Sequence, residues 1–324
     1  MSELFIKQEL LKTLPQIDAI LLDVDGVILD VSESYRVAIM QTTQYFATEV
    51  LQLEDTGPLM EGQDVEWFKL AGGFNSDWDL TNAAVMLVLA KQVQSGVKDT
   101  ASILALEPSW EHFTAEIKRR GGGLPVAEIL ILERLTTRQR RDFANAFKPK
   151  FVTQIFQEMY GGDDACKSLY GFEPEHLEGE GLYKDETVMM DSDLLPKKLP
   201  IGLLTGRTTS ETRLAMKVAG LKIPESNWLT DDDGVKKPDG RALLMLQEKM
   251  NFKFALYIGD TMDDLNVVKN YRELKGSGRA KIVSCIVMSG PSGDTHRRLF
   301  LEAGAEIASP DVNSILQYLK AVVK

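Results

Sequence analysis

The chain has 324 residues, 44% of them hydrophobic and 26% charged, with a formal net charge of −11. That length suits a core domain plus an accessory one, the even spread of apolar residues argues against disorder on a large scale, and the acidic balance argues against broad adhesion to nucleic acid or anionic membranes. Only Cys166 and Cys285 occur, far apart and without CxxC or metal-like spacing, as in a reducing compartment.

The opening MSELFIKQELLKTLPQ alternates charged and apolar residues and has no continuous apolar core of a signal peptide. The longest clean apolar run, Ala83 to Ala90, is far too short for a bilayer span, so a soluble, cytoplasmic protein with no membrane partner is expected. Residues 17–24, IDAILLDV, predict a short parallel strand buried on both faces. Its end carries Asp23 and Asp25, and Asp30 follows as a linker or helix-entry residue.

Residues 31–195 read almost wholly helical, for instance SYRVAIMQTTQYFATEVLQL and RQRRDFANAFKPKFVTQIFQEMY. Breaks are expected at Gly57-Pro58, Gly72-Gly73, Gly121 to Gly123 with Pro125, and Gly161-Gly162. The basic runs at 118–120 and 138–141 read as solvated helix faces, and His112, His176 and His296 as surface or core residues.

Strand-like runs then return at 199–205 (LPIGLLT), 254–260 (FALYIGD) and 281–290 (KIVSCIVMSG), with helical patterns such as SETRLAMKVAGL and DDLNVVKNYREL after them. Alternation at this spacing predicts βαβ units and a parallel sheet. The organisation expected is an α/β core from residues 1–30 and 196–324, interrupted by an inserted helical domain at 31–195.

Ligands of open parallel sheets bind beyond the carboxyl ends of the strands. That rule gathers Asp23-Val24-Asp25-Gly26, Thr205-Gly206-Arg207 and the GDTMDD run from Gly259 to Asp264, with VKKPDG at 235–240 between the last two. Converging carboxylates repel one another unless a divalent cation joins them, and all-oxygen ligands with room for water favour Mg²⁺ over zinc. The Thr205 hydroxyl, nearby backbone N–H groups and the capping pattern Thr208-x-x-Glu211 suit an anion at a helix start. Lys236 or Lys237 adds positive charge, and together these groups describe phosphoryl transfer.

Taken in order, DVDGV, the Thr205 of LLTGR, the lysine of KKPDG and GDTMDD are similar to the four motifs of the haloacid dehalogenase superfamily of phosphohydrolases. The chain resembles its subfamily I, with a C1-type helical cap as in phosphoglycolate phosphatase-like and β-phosphoglucomutase-like members. The resemblance ties in roughly half of the chain and implies a Rossmann-like parallel-sheet core. It further implies that Asp23 is the nucleophile, that Asp25 is general acid and then base, and that Thr205 holds phosphate oxygens. Lys237, directly before the proline, bridges phosphate and nucleophile, with Lys236 as competitor. Mg²⁺ is expected on Asp23, the Asp25 carbonyl, Asp260 and Asp264, with Asp263 competing for the last place.

Gly206 and Arg207 are expected near phosphate or substrate, although Arg207 equally fits a first-turn surface position. The substrate implied is a small phosphorylated metabolite, and specificity is expected in the cap. The segment at 66–81 offers Lys69, Asn75, Asp77 and Trp78 around a flexible Gly72-Gly73, while the plainer reading makes Trp67, Phe68, Phe74 and Trp78 core aromatics. Val27 stands where many phosphatase members carry threonine, which keeps a phosphomutase as the alternative, with a non-catalytic metabolite-binding protein behind it. A monomer or homodimer is expected.

Overall fold

The computed structural model describes residues 3–276, 278–289 and 297–323; His296 lies outside them. Its strands are β1 (Phe5–Ile6), β2 (Ala19–Leu22), β3 (Leu29–Asp30), β4 (Thr187–Val188), β5 (Ile201–Leu204), β6 (Trp228–Leu229), β7 (Phe254–Gly259), β8 (Lys281–Val287) and β9 (Ile307–Ser309). Seven of them form one sheet in the order β1-β9-β8-β7-β2-β5-β6, parallel except where β1 meets β9.

All four side chains of β2 are buried, and they alternate between two cores as the pleat requires. Ala19 and Leu21 pack with Leu243, Leu246, Val267 and Val268 from the helices Arg241–Met250 and Met262–Glu273. Ile20 and Leu22 join Met216, Ile315 and Leu319 from the helices Thr209–Val218 and Val312–Val322 on the opposite face. The result is a sheet sandwiched between helices, with β2 near its middle: Leu21 sits opposite Gly202 of β5 and Tyr257 of β7.

The chain divides into a sheet unit, Met1–Val31 with Thr187–Lys324, and a helical unit, Ser32–Glu186. The boundary expected at 195 falls at 186 because Thr187 and Val188 pair as β4 with β3, and Met189 N donates to Ile28 O at 2.9 Å. Asp30 is thus part of a strand, opposite Thr187, rather than a helix entry.

Within the helical unit the apolar run 83–90 lies in the helix Asp77–Ser95, buried continuously from Leu80 to Lys91, which explains an apolar surface all round it. Among the described residues no helix is long and apolar enough to cross a membrane. The helical stretch at 138–160 falls in two helices, Thr137–Ala146 and Pro149–Tyr170. Lys148, preceding a proline, is held out of the helical region, and Pro149 then opens the next helix. The break expected at Gly161-Gly162 is a kink inside that second helix, confined to Gly162.

Gly72-Gly73 is not a flexible joint. Gly123 N donates to Gly72 O at 2.9 Å, and a Cβ on Gly73 would lie 2.7 Å from Gly123 N, so two glycine segments interlock backbone against backbone. The basic runs are engaged locally: Arg119 and Arg120 pair with Glu116, and Arg140 Nε donates to the carbonyls of Leu132 and Leu135.

Candidate active site

Three adjacent strands deliver their next residue to one edge of the sheet. Asp23 follows β2, Thr205 follows β5 on one side, and Asp260 follows β7 on the other. The topology therefore gathers residues from distant parts of the chain at the point where strand order reverses, the usual crevice of an open parallel sheet.

Lys237 Nζ lies 2.6 Å from Asp23 Oδ2 and 2.8 Å from Asp264 Oδ1, all three side chains being buried. The competitor Lys236 points away, paired at 2.7 Å with Asp231. Asp23, Asp260 and Asp264 each offer a carboxylate oxygen within 4.8 Å of the others, and Asp263 is not in that group.

Asp264 is the most heavily engaged of the acids. Its Oδ1 accepts from Lys237 and from the Tyr257 hydroxyl, and its Oδ2 accepts from the backbone N–H groups of Asp260 and Thr261 and from Thr261 Oγ1. With both oxygens taken, it caps the helix Met262–Glu273 and aims Lys237 at Asp23.

Gly26 makes the close approach of Asp260 feasible. Its φ is +72°, and a Cβ there would stand 2.0 Å from Asp260 Oδ2, so only glycine fits both the turn and the carboxylate against it. Ser289 Oγ donates to Gly26 O at 3.0 Å and holds the same turn from another element. On β5's side, Arg207 N donates to Thr205 Oγ1 at 3.2 Å, which leaves the hydroxyl's own proton to donate elsewhere.

Burial is the largest influence on the site's charged groups. Burial pushes the Asp23 carboxyl up to about 7; Lys237 opposes the rise, and Asp264 and Asp25 add to it. Burial works against charge on Lys237, yet the two carboxylates outweigh it and hold the ammonium above its ordinary range. Burial likewise disfavours the Asp264 carboxylate, and Lys237, Thr261 and Tyr257 more than offset it, keeping Asp264 below the usual value. Arg207 pairs with Asp25 and Lys237 with Asp23 and Asp264. The carboxylates of Asp23, Asp260 and Asp264 lie close enough together to hold one divalent ion.

Asp23, Asp25, Thr205, Lys237, Asp260 and Asp264 all lie in the sheet unit, Asp23 with Lys237, Asp260 and Asp264 in one buried group and Asp25 beside Arg207. Arg207 does not take the surface position that was the alternative: its side chain is buried against Asp25. Tyr257 went unread in the sequence, although a tyrosine within a buried apolar strand signals a hydroxyl in need of a partner. Lys69, Asn75, Asp77 and Trp78 belong to the helical unit. There Lys69 Nζ pairs with Asp77 at 2.7 Å and donates to Phe74 O, Trp78 packs edge-on against Tyr170, and Phe68 with Phe74 joins an aromatic core. His112 is exposed beside Glu107, and His176 packs on Phe151.

The parallel sheet order and the inserted helical unit make an α/β fold with a helical insertion after its first core strand. Comparison with solved structures agrees. The chain is similar to the phosphatase Tt82 from Thermococcus thioreducens, with a TM-score of 0.59 and 24% identity over 93% of this chain and 98% of that one. It is similar as well to a predicted phosphoglycolate phosphatase from Haemophilus somnus 129pt, with a TM-score of 0.51 and 13% identity over 94% and 98% of the two chains. No family model matches. Over 113 residues, 35% of the chain, the sequence is 33% identical to a curated imidazoleglycerol-phosphate dehydratase from Phytophthora nicotianae, and the match spans only 21% of that relative's length.

Proposed function

We propose that the chain is a Mg²⁺-dependent phosphomonoesterase that hydrolyses a small phosphorylated metabolite through an aspartyl-phosphate on Asp23. The observation that carries this reading is Lys237, held between Asp23 and Asp264 where β2, β5 and β7 end.

In the first step an Asp23 carboxylate oxygen bonds to phosphorus while the ester P–O bond breaks, and the leaving oxygen takes the proton of Asp25. In the second, water attacks phosphorus and gives its proton back to Asp25, the Asp23–phosphorus bond breaks, and inorganic phosphate departs. Splitting one hard displacement in two is what covalent catalysis contributes, and a positioned acid and base supplies ~10²- to 10⁴-fold. The Thr205 hydroxyl and Lys237 bind phosphate oxygens, and Lys237 keeps the Asp23 carboxylate oriented. Asp23, Asp260 and the Asp25 carbonyl would hold the Mg²⁺, with Asp264 behind them fixing Lys237 and the helix start. Bound there, the ion neutralises phosphate charge that would otherwise repel the nucleophile.

Val27 is fully buried in the sheet unit's core, so packing accounts for the valine and nothing favours a mutase on its account. Substrate choice is assigned to the segment at 66–81, where Lys69 and Asp77 pair with each other.

The test is phosphate release from p-nitrophenyl phosphate and from a panel of phosphate monoesters. The panel includes phosphoglycolate and imidazoleglycerol phosphate, the esters that appear in the names of similar proteins. Release should need Mg²⁺, stop with EDTA and disappear in folded Asp23→Asn. Wild-type rates in Asp23→Asn, or no release from any ester by wild type with Mg²⁺, would sink the proposal.

A further inference from the structure

Arg207 carries a charge that the sequence offered to phosphate, and the fold spends it on Asp25 instead. Nε and Nη2 each lie 2.7 Å from the same oxygen, Asp25 Oδ1, and only 1% of the Arg207 side chain is exposed against 27% for Asp25. The guanidinium is buried, whereas its partner reaches solvent.

The clamp is itself anchored. Arg207 N is held by Thr205 Oγ1, and its carbonyl accepts from Asp231 N at 2.9 Å, so the backbone bearing the guanidinium is pinned on both sides at the end of β5. The backbone at Asp25 is held as well, by its bridge to Leu29 and the Gly26 N–H to Leu29 O bond at 2.8 Å, so both ends of the clamp sit on fixed backbone. Among the described residues Asp25 Oδ2 accepts no hydrogen bond, so the clamp engages one oxygen and leaves the other to carry a proton.

We propose that Arg207 is a positioning residue that fixes the side chain of Asp25 for proton transfer to the leaving oxygen. The inference rests on the phosphatase reading above and names a residue that acts through the acid rather than on the substrate.

The experiment compares kcat/KM, which reports steps up to departure of the leaving group, for two esters in the presence of Mg²⁺. p-Nitrophenyl phosphate releases a phenolate that needs no proton, while glycerol phosphate releases an alkoxide that does. Asp25→Asn sets the scale, and Arg207→Lys keeps the charge while losing the fork. Arg207→Lys should lower kcat/KM by on the order of 10²-fold on glycerol phosphate and by less than about tenfold on p-nitrophenyl phosphate. Asp25→Asn should show the same split, and adding Arg207→Lys to it should cost little more.

Equal losses on both esters, a rise in KM alone, or no change would overturn the proposal and leave Arg207 a structural or phosphate-binding residue. Circular dichroism and a melting temperature check that each variant folds, and Arg207→Gln provides the second variant. If wild type hydrolyses neither ester nor any member of the wider panel, the phosphatase reading fails and takes this inference with it; hydrolysis of both with an unsplit loss defeats the inference alone.

Discussion

Gly26 closes the run that carries Asp23 and Asp25 and brings Asp260 against its backbone. Its positive φ turns the chain after Asp25, and its missing side chain admits the Asp260 carboxylate against the backbone. Gly26→Ala should therefore do two kinds of damage. A strained left-handed alanine costs ~1–3 kcal/mol of stability, and displacement of Asp260 by about an ångström should lower activity ~10²-fold. Mg²⁺ titration by calorimetry together with a melting curve checks both. Unchanged Mg²⁺ affinity in Gly26→Ala would show that Asp260 does not depend on this approach.

At the scale of the element, the helix Asp77–Ser95 buries a lysine in an apolar core. Lys91 is 2% exposed, donates to Ile103 O at 3.2 Å, and lies 5.8 Å from the centre of the Trp110 ring. Burial pushes its ammonium down to about 8, with Glu107 partly opposing. In the unfolded chain it titrates near its ordinary 10.5, so between about 8 and 10.5 the unfolded state binds more protons and stability rises with pH. Below about 8 the penalty is present in full; above 10.5 it is gone. Urea denaturation of wild type and Lys91→Met from pH 7 to 10 should show the wild type gaining on the variant across that window, and a constant difference would contradict it.

For the whole molecule the decisive feature is where the insertion leaves and re-enters the sheet unit. Leu29 and Asp30 pair antiparallel with Val188 and Thr187, so the two ends of Ser32–Glu186 stand side by side in one short ribbon. Joining Asp30 to Thr187 through Asn-Gly, which suits a two-residue hairpin, should leave the sheet unit able to fold. The expected result is a cooperative melt and dispersed NMR amide signals from the shortened chain. A molten or aggregated product would show that the helical unit is required for the sheet to form.

The sequence alone determined the strand ends and their chemistry, because apolar runs of strand length stopped at acids, a threonine and glycines in a set order. It also showed that a helical insertion follows the first strand, since the hydrophobic period changes there. Short edge elements such as β1, β6 and β4 were not legible: two-residue strands have no period of their own and exist only through their partners. The choices between Lys236 and Lys237 and between Asp263 and Asp264 also waited on the fold, because neighbours in sequence differ by direction and not by chemistry. Tertiary structure alone paired Arg207 with Asp25 and tied Tyr257 to Asp264, since a buried charge or hydroxyl takes whatever partner packing brings within reach.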